Sequence, residues 1–181
     1  PGEEDAPRLT GGDVLAVVYE GIDRIEEATG VTLVDDVILE HRFDDLWHYH
    51  VEQKFARQVR ARLTERLHQF RDHRILLVVH SMGSVIAYDV LRLLEREAPS
   101  LQVEHLVTIG APLGLAKVKL KIEAECGEAR VPNNVQQWTN LADGNDIVAV
   151  TGALAADFVP NDAGVRVADH RVVNDYRRPT G

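Results

Sequence analysis

The sequence is poor in several residue types on which whole classes of protein depend. Its 181 residues include a single cysteine, Cys126, so an internal disulfide is excluded and no thiolate cluster can hold a metal. Basic side chains are in deficit: 20 Lys and Arg stand against 29 Asp and Glu, a formal net charge of −9. A surface of that sign repels nucleic-acid backbones, and we expect no nucleic-acid partner. No apolar run approaches the roughly 20 residues that a membrane-spanning helix needs, so no integral membrane segment is expected. There is no internal repeat, low-complexity tract or secretion signal, and the missing signals favour the cytoplasm. The chain opens on Pro1 rather than Met, and we expect it to be incomplete at both ends.

What is present suits one soluble domain. Hydrophobic residues make up 45% of the chain, and its length can bury a substantial core. Pro1–Thr10 reads as a disordered stretch or a polar linker and residues 11–181 as a single domain. Val14, Leu15, Val18, Ile22 and Ile25 share one helical face, with Asp13 as a candidate N-cap and Gly30 as a stop. Val31–Leu39 is ambiguous between a short strand and a packed loop. From Val51 onward, Phe55, Val59, Leu63 and Leu67 recur every four residues, which predicts an amphipathic helix ending near Phe70. Val103–Ile109 and Val135–Leu141 read as strands, Leu115–Gly127 as a helix or lid-like excursion, Thr151–Phe158 as a short helix and Val165–Val173 as a last extended segment. This alternation predicts an α/β fold, a mostly parallel sheet with helices on both faces.

The chain is organised around Arg74–Tyr88. Ile75–Val79 is too short for a buried helix and reads as a strand buried on both faces. After Gly83, the residues Val85, Ile86, Tyr88, Val90, Leu91, Leu93 and Leu94 recur at helical spacing. Ser81 therefore stands at a small-residue corner between strand and helix. Such a corner lifts a hydroxyl clear of the sheet, with the N–H of Met82 free to meet a developing oxyanion at the positive end of the helix. An ordinary strand-to-helix turn carrying a surface serine is the alternative.

His80-Ser81-Met82-Gly83 resembles the nucleophile elbow of the α/β-hydrolase superfamily, usually written Gly-x-Ser-x-Gly. Val79 occupies the place of the first glycine and is expected to crowd the turn. Val107–Gly114 is similar to the strand end and Pro-containing turn after the elbow helix in lipase-like members. Trp138-x-Asn140-x-x-Asp143-x-x-Asp146-x-Val148 resembles the strand and acid loop of the same branch. Together these pieces cover roughly residues 74–150. The resemblance implies a lipase- or esterase-like serine hydrolase with a small-molecule ester or lipid-like substrate and no cofactor. Ser81 would be the nucleophile, Met82 N–H an oxyanion donor and Asp146 the acid, with Asp143 in reserve. The superfamily's order places the base after the acid, where His170 is the one histidine. In the branch resembled here, a segment like Val167–Asn174 tends to precede the catalytic histidine. His170 and a histidine beyond Gly181 both stay open as the base. The His-Gly strand and loop that usually give a second oxyanion donor have no counterpart before Gly11. A non-catalytic binding or scaffold domain on the same fold is the alternative function, and the oligomeric state is undetermined by sequence.

A second constellation is His41, Asp44, Asp45, His48 and His50. His-x-His on a strand can grip zinc, but Val51-Glu52-Gln53 lacks the further ligands that metallo-hydrolases place next. The interleaved Phe43, Trp47 and Tyr49 suit a packed loop before the helix, and no metal is expected.

Overall fold

In a computed structural model of the chain, the described residues are 44–143 and 153–173. The candidate helix at Val14–Ile25 and the ambiguous stretch Val31–Leu39 lie outside them. Asp44–Val51 forms a helix, α1, where the aromatic spacing suggested a loop. Tyr49 explains the difference, because its ring is buried and its hydroxyl is tied into the helices that follow. The four-residue stripe yields α2, Gln53–Gln69. Leu67 is buried on its inner face, while Phe55, Val59 and Leu63 pack against the core from positions half in water.

Strand β1 (Leu76–His80) leads through one residue into α3 (Met82–Glu97), the helix around which the core forms. Val85, Tyr88, Val90, Leu91 and Leu94 of α3 are all buried. Each such side chain contributes roughly 1.5–3 kcal/mol when fully removed from water. β2 (His105–Ile109), a short 3-10 turn at Pro112–Gly114, α4 (Ala116–Cys126), β3 (Trp138–Asp143), α5 (Leu154–Asp157) and β4 (Val167–Val172) complete the order. The four strands form one sheet in the order β1-β2-β3-β4, every neighbouring pair parallel. The α/β reading therefore holds. The two central strands start later than their apolar runs, because Val103 and Val135 meet only as an isolated bridge.

Register sorts the side chains into two faces. Leu77 and Val79, Leu106 and Thr108, Trp138 and Asn140, and Val167 and Asp169 share the inner face. Trp138 and Phe158 stack edge-on there, 5.3 Å between ring centroids, and both lean on Tyr88 of α3. Leu76, Val78 and His80 point to the opposite face, where Leu76 is 63% and Val78 54% exposed. The expectation that this strand is buried on both sides is thus corrected. β1 is the edge of the described sheet, and among the described residues no helix covers its outer row.

A buried charge knot ties four helices together. The Asp89 carboxylate, on α3, accepts from Tyr49 Oη at 2.6 Å, Arg60 Nη2 at 2.7 Å and Lys121 Nζ at 3.3 Å. Lys121 and Arg60 also reach Glu125, at 3.2 and 3.5 Å. Both cations lie against the Tyr49 ring, 5.4 and 5.2 Å from its centroid. Burial and the neighbouring Asp89 charge hold the Tyr49 phenol in its neutral form. Asp89 is thus a structural residue of the core. Removing it takes the buried carboxylate from two cations and leaves them only the more exposed Glu125, a broken buried pair of the kind that costs about 3–5 kcal/mol. Asp89→Ala is expected to lower the urea-unfolding free energy by that order.

The knot also makes stability depend on pH. Burial, with the Lys121 charge beside it, pushes the His50 imidazole from 6.5 down to about 3. Below pH 6.5 the unfolded chain binds a proton that the folded chain refuses until near 3. The stabilisation is therefore complete above the unfolded value and is lost as pH falls toward the folded one. The urea midpoint is expected to fall between about pH 7 and pH 4, with a shallower slope in His50→Gln.

Candidate active site

The carboxyl ends of the four strands form one edge, the usual place for a site in an open parallel sheet. Ser81 stands at that edge directly after β1. Its backbone has φ 51° and ψ −129°, and it is the one non-glycine residue with positive φ among the described residues. Such a conformation costs an L-residue on the order of 1–3 kcal/mol and persists only where its surroundings enforce it. Here two hydrogen bonds do so. Ser81 N–H donates to Ile109 O at 3.0 Å, and Ser81 O accepts from Ser84 N–H at 2.8 Å. The first fastens the corner to the end of β2, and the second closes the opening turn of α3.

Ser81 occupies the N-cap of α3, where a serine ordinarily turns its hydroxyl onto the helix N–H groups. No side-chain cap is formed. The left-handed backbone directs the hydroxyl elsewhere, and the half-buried residue retains access to solvent. Met82, the first residue of α3, has an N–H with no intrahelical acceptor. Hydroxyl and N–H therefore share the positive end of a 16-residue helix.

Val79 does not crowd this corner. A Cβ added to Gly83 would lie 3.9 Å from Val79 Cβ, ordinary van der Waals contact. Strand and helix are spaced widely enough for valine to replace the glycine of the usual motif. Gly110, at the end of β2, does need its freedom. With φ 54° it turns the chain out of the strand while its N–H donates to Leu141 O at 2.9 Å.

The remaining candidates fall differently. Asp143 is the last residue of β3, at the same edge and in register with Val172. Asp146 lies outside the described residues. His170 lies within β4, paired with Leu141, which pairs with Ile109, which pairs with His80. Those four share a face in one row, so three strand spacings of about 4.8 Å separate His170 from the nucleophile strand. A base must come within about 3 Å of the proton it takes. The structure does not bring His170 and Ser81 together, because the strand ladder holds the histidine at the far edge.

Histidines elsewhere are engaged in other ways. His105 bonds Thr139 Oγ1 at 2.8 Å across β2 and β3, and His48 bonds Glu52 at 2.8 Å within the α1–α2 turn. His48 and His50 sit on a helix rather than a strand, and residues two apart on a helix do not face each other. His41, the third member of that constellation, lies outside the described residues.

One arrangement at the edge escapes the sequence reading. Trp138 Nε1 donates to Thr108 Oγ1 at 3.0 Å, Thr108 Oγ1 to Asn140 Oδ1 at 2.9 Å, and Asn140 Nδ2 to Asp169 Oδ1 at 2.9 Å. The Asp169 carboxylate then accepts the N–H groups of Leu154 and Ala155, at 3.1 and 2.8 Å, at the start of α5. This buried relay fixes the point where the chain re-enters the described fold after the acid-bearing stretch. Its signal was present in Trp138-x-Asn140, although motif reading drew only the aspartates from that segment.

Residues 38–124 match the family model for lecithin:cholesterol acyltransferase. The matched span contains α1, α2, β1, Ser81, α3 and β2 and reaches into α4. No curated protein matches the chain. No solved structure does either.

The strain at Ser81 has a measurable sign. Glycine adopts the observed backbone without penalty and alanine does not, so Ser81→Gly is expected to be more stable than Ser81→Ala by about 1 kcal/mol. Thermal or urea unfolding of the two variants checks it.

Proposed function

We propose that the chain is a lipase-like member of the α/β-hydrolase superfamily, a reading that the family match over residues 38–124 and the parallel sheet support, and that it transfers the acyl group of a lipid-like carboxylic ester through a covalent intermediate on Ser81. The observation that carries this reading is the enforced positive φ of Ser81, whose hydroxyl leaves the helix cap unmade. A surface serine in an ordinary turn gains nothing from that strain.

In this mechanism Ser81 Oγ attacks the ester carbonyl carbon while a histidine takes its proton. The carbonyl oxygen gains negative charge and is met by Met82 N–H at the positive end of α3. As the tetrahedral intermediate collapses, the bond to the alcohol breaks and the histidine returns its proton to the leaving oxygen. The acyl-enzyme is then released to water, or to an alcohol acceptor by the same steps in reverse. The matched family is named for acyl transfer involving lecithin and cholesterol, which supports a lipid ester as donor. Asp146, on the stretch after β3, orients the histidine and stabilises its imidazolium, with Asp143 as the alternative carboxylate at the same edge. A base for Ser81 must reach the carboxyl end of β1. His170 could serve only by leaving its register with Leu141.

A p-nitrophenyl acyl ester tests the reaction. The native protein is expected to release a burst of nitrophenol stoichiometric with protein, then turn over slowly. Ser81→Ala is expected to abolish the burst, and Asp146→Asn to lower kcat by about a thousandfold or more. Full turnover by Ser81→Ala would remove the proposal. A non-catalytic binding domain would show neither burst nor turnover in the native protein.

A further inference from the structure

At the far end of α3 from Ser81 lies a cavity of about 280 Å³, walled by Arg92, Glu95 and Arg96 of α3, Cys126 at the end of α4, and Glu128 and Arg130 beyond it. The rise of α3 places Arg96 about 20 Å from Ser81, so the cavity is separate from the proposed catalytic edge. A water molecule occupies about 30 Å³ of liquid, and the space accommodates a tetrahedral oxyanion with some of its hydration.

The wall is locally positive, with three guanidinium groups against two carboxylates, in a chain whose net charge is −9. The thiol adds no charge, because burial pushes Cys126 up. Most of the charge is already committed. Glu95 accepts from Arg92 Nε at 3.1 Å, Arg130 Nη2 at 2.8 Å and the Asn133 N–H at 2.7 Å, so most of its acceptor capacity is taken. Arg92 also donates to Tyr88 Oη and to the carbonyls of Glu128 and Cys126, which holds the cavity wall in place. Two groups are left over. Among the described residues Arg96 has no hydrogen-bond or ion-pair partner, and neither does the Glu128 carboxylate.

We propose that this cavity binds a phosphate group, held by the Arg96 guanidinium and by Glu128. Five free N–H donors in a planar fork match two oxygens of a tetrahedral anion. The unspent carboxylate selects among such anions. A hydrogen phosphate carries an O–H that can donate to Glu128, whereas sulfate has none near neutral pH and would meet only repulsion there. Either inorganic phosphate or the phosphomonoester headgroup of a lipid supplies this chemistry.

The test is calorimetric titration of the native protein with inorganic phosphate at fixed ionic strength, with sulfate in parallel. Phosphate is expected to bind more tightly than sulfate. Arg96→Gln is expected to weaken phosphate about tenfold, the equivalent of one lost charge-assisted bond. Because Arg96 is exposed, the variant should unfold at the native temperature, and Arg96→Lys should retain part of the affinity. Sedimentation with phosphatidylcholine vesicles, with and without phosphatidate, separates the two sources. Phosphatidate-dependent binding lost in Arg96→Gln assigns the headgroup, and titration without vesicle binding assigns the free ion. Absence of phosphate binding at millimolar concentration, equal affinity for sulfate, or binding indifferent to Arg96→Gln would overturn the proposal. None of these outcomes bears on Ser81, since the ester burst is read independently.

Discussion

The hydrogen bond from Ser81 N–H to Ile109 O is the constraint on which the rest of the structure depends. It joins the end of β1 to the end of β2 and helps hold Ser81 at φ 51°. Without it, a serine at a helix N-terminus would relax into the ordinary capping conformation and turn its hydroxyl onto the helix. The parallel register of β1 and β2 sets where that carbonyl lies, and the packing of α3 sets where the turn must begin. Sheet, helix and strained corner are therefore one device. Its product is an unused hydroxyl beside an unused N–H.

The elbow helix is anchored along its length by means that differ in kind. Its first turn is held by the strand ends. Its middle carries Asp89, whose three donors pull α1, α2 and α4 onto it. Its last turns carry Arg92 and Glu95, which fasten the chain beyond α4. Buried ion pairs of this type add little net stability compared with apolar packing. They do forbid sliding, because any displacement leaves a charge unpaired. A helix whose N-terminus must keep a strained residue in place benefits from that rigidity.

How much of this was legible in the sequence can be read residue by residue. The strand–corner–helix at Arg74–Tyr88 was visible because a β-branched run gives way to helical spacing at a serine. The parallel α/β sheet followed from strands alternating with helices. The two-sided burial of β1 did not hold, because Leu76 and Val78 are as apolar as core residues and sequence does not record which face the other described elements cover. The Val79 departure looked like crowding, yet the strand-to-helix spacing that relieves it is a tertiary quantity. His170 satisfied the order required of a base, but order along the chain carries no distance. Register alone put it three strands away. Trp138-x-Asn140 marked one strand of the Thr108–Asn140–Asp169 relay, but its partners were illegible for a related reason, since they stand on neighbouring strands some 30 residues away in sequence.

The central claim, that Ser81 is an activated nucleophile, is tested most directly with a fluorophosphonate probe on the native folded protein, mapping the adduct by peptide mass spectrometry. One adduct per chain is expected, on Ser81, absent after heat denaturation. A folded protein that stays unlabelled, or that carries the adduct on another residue, would contradict it.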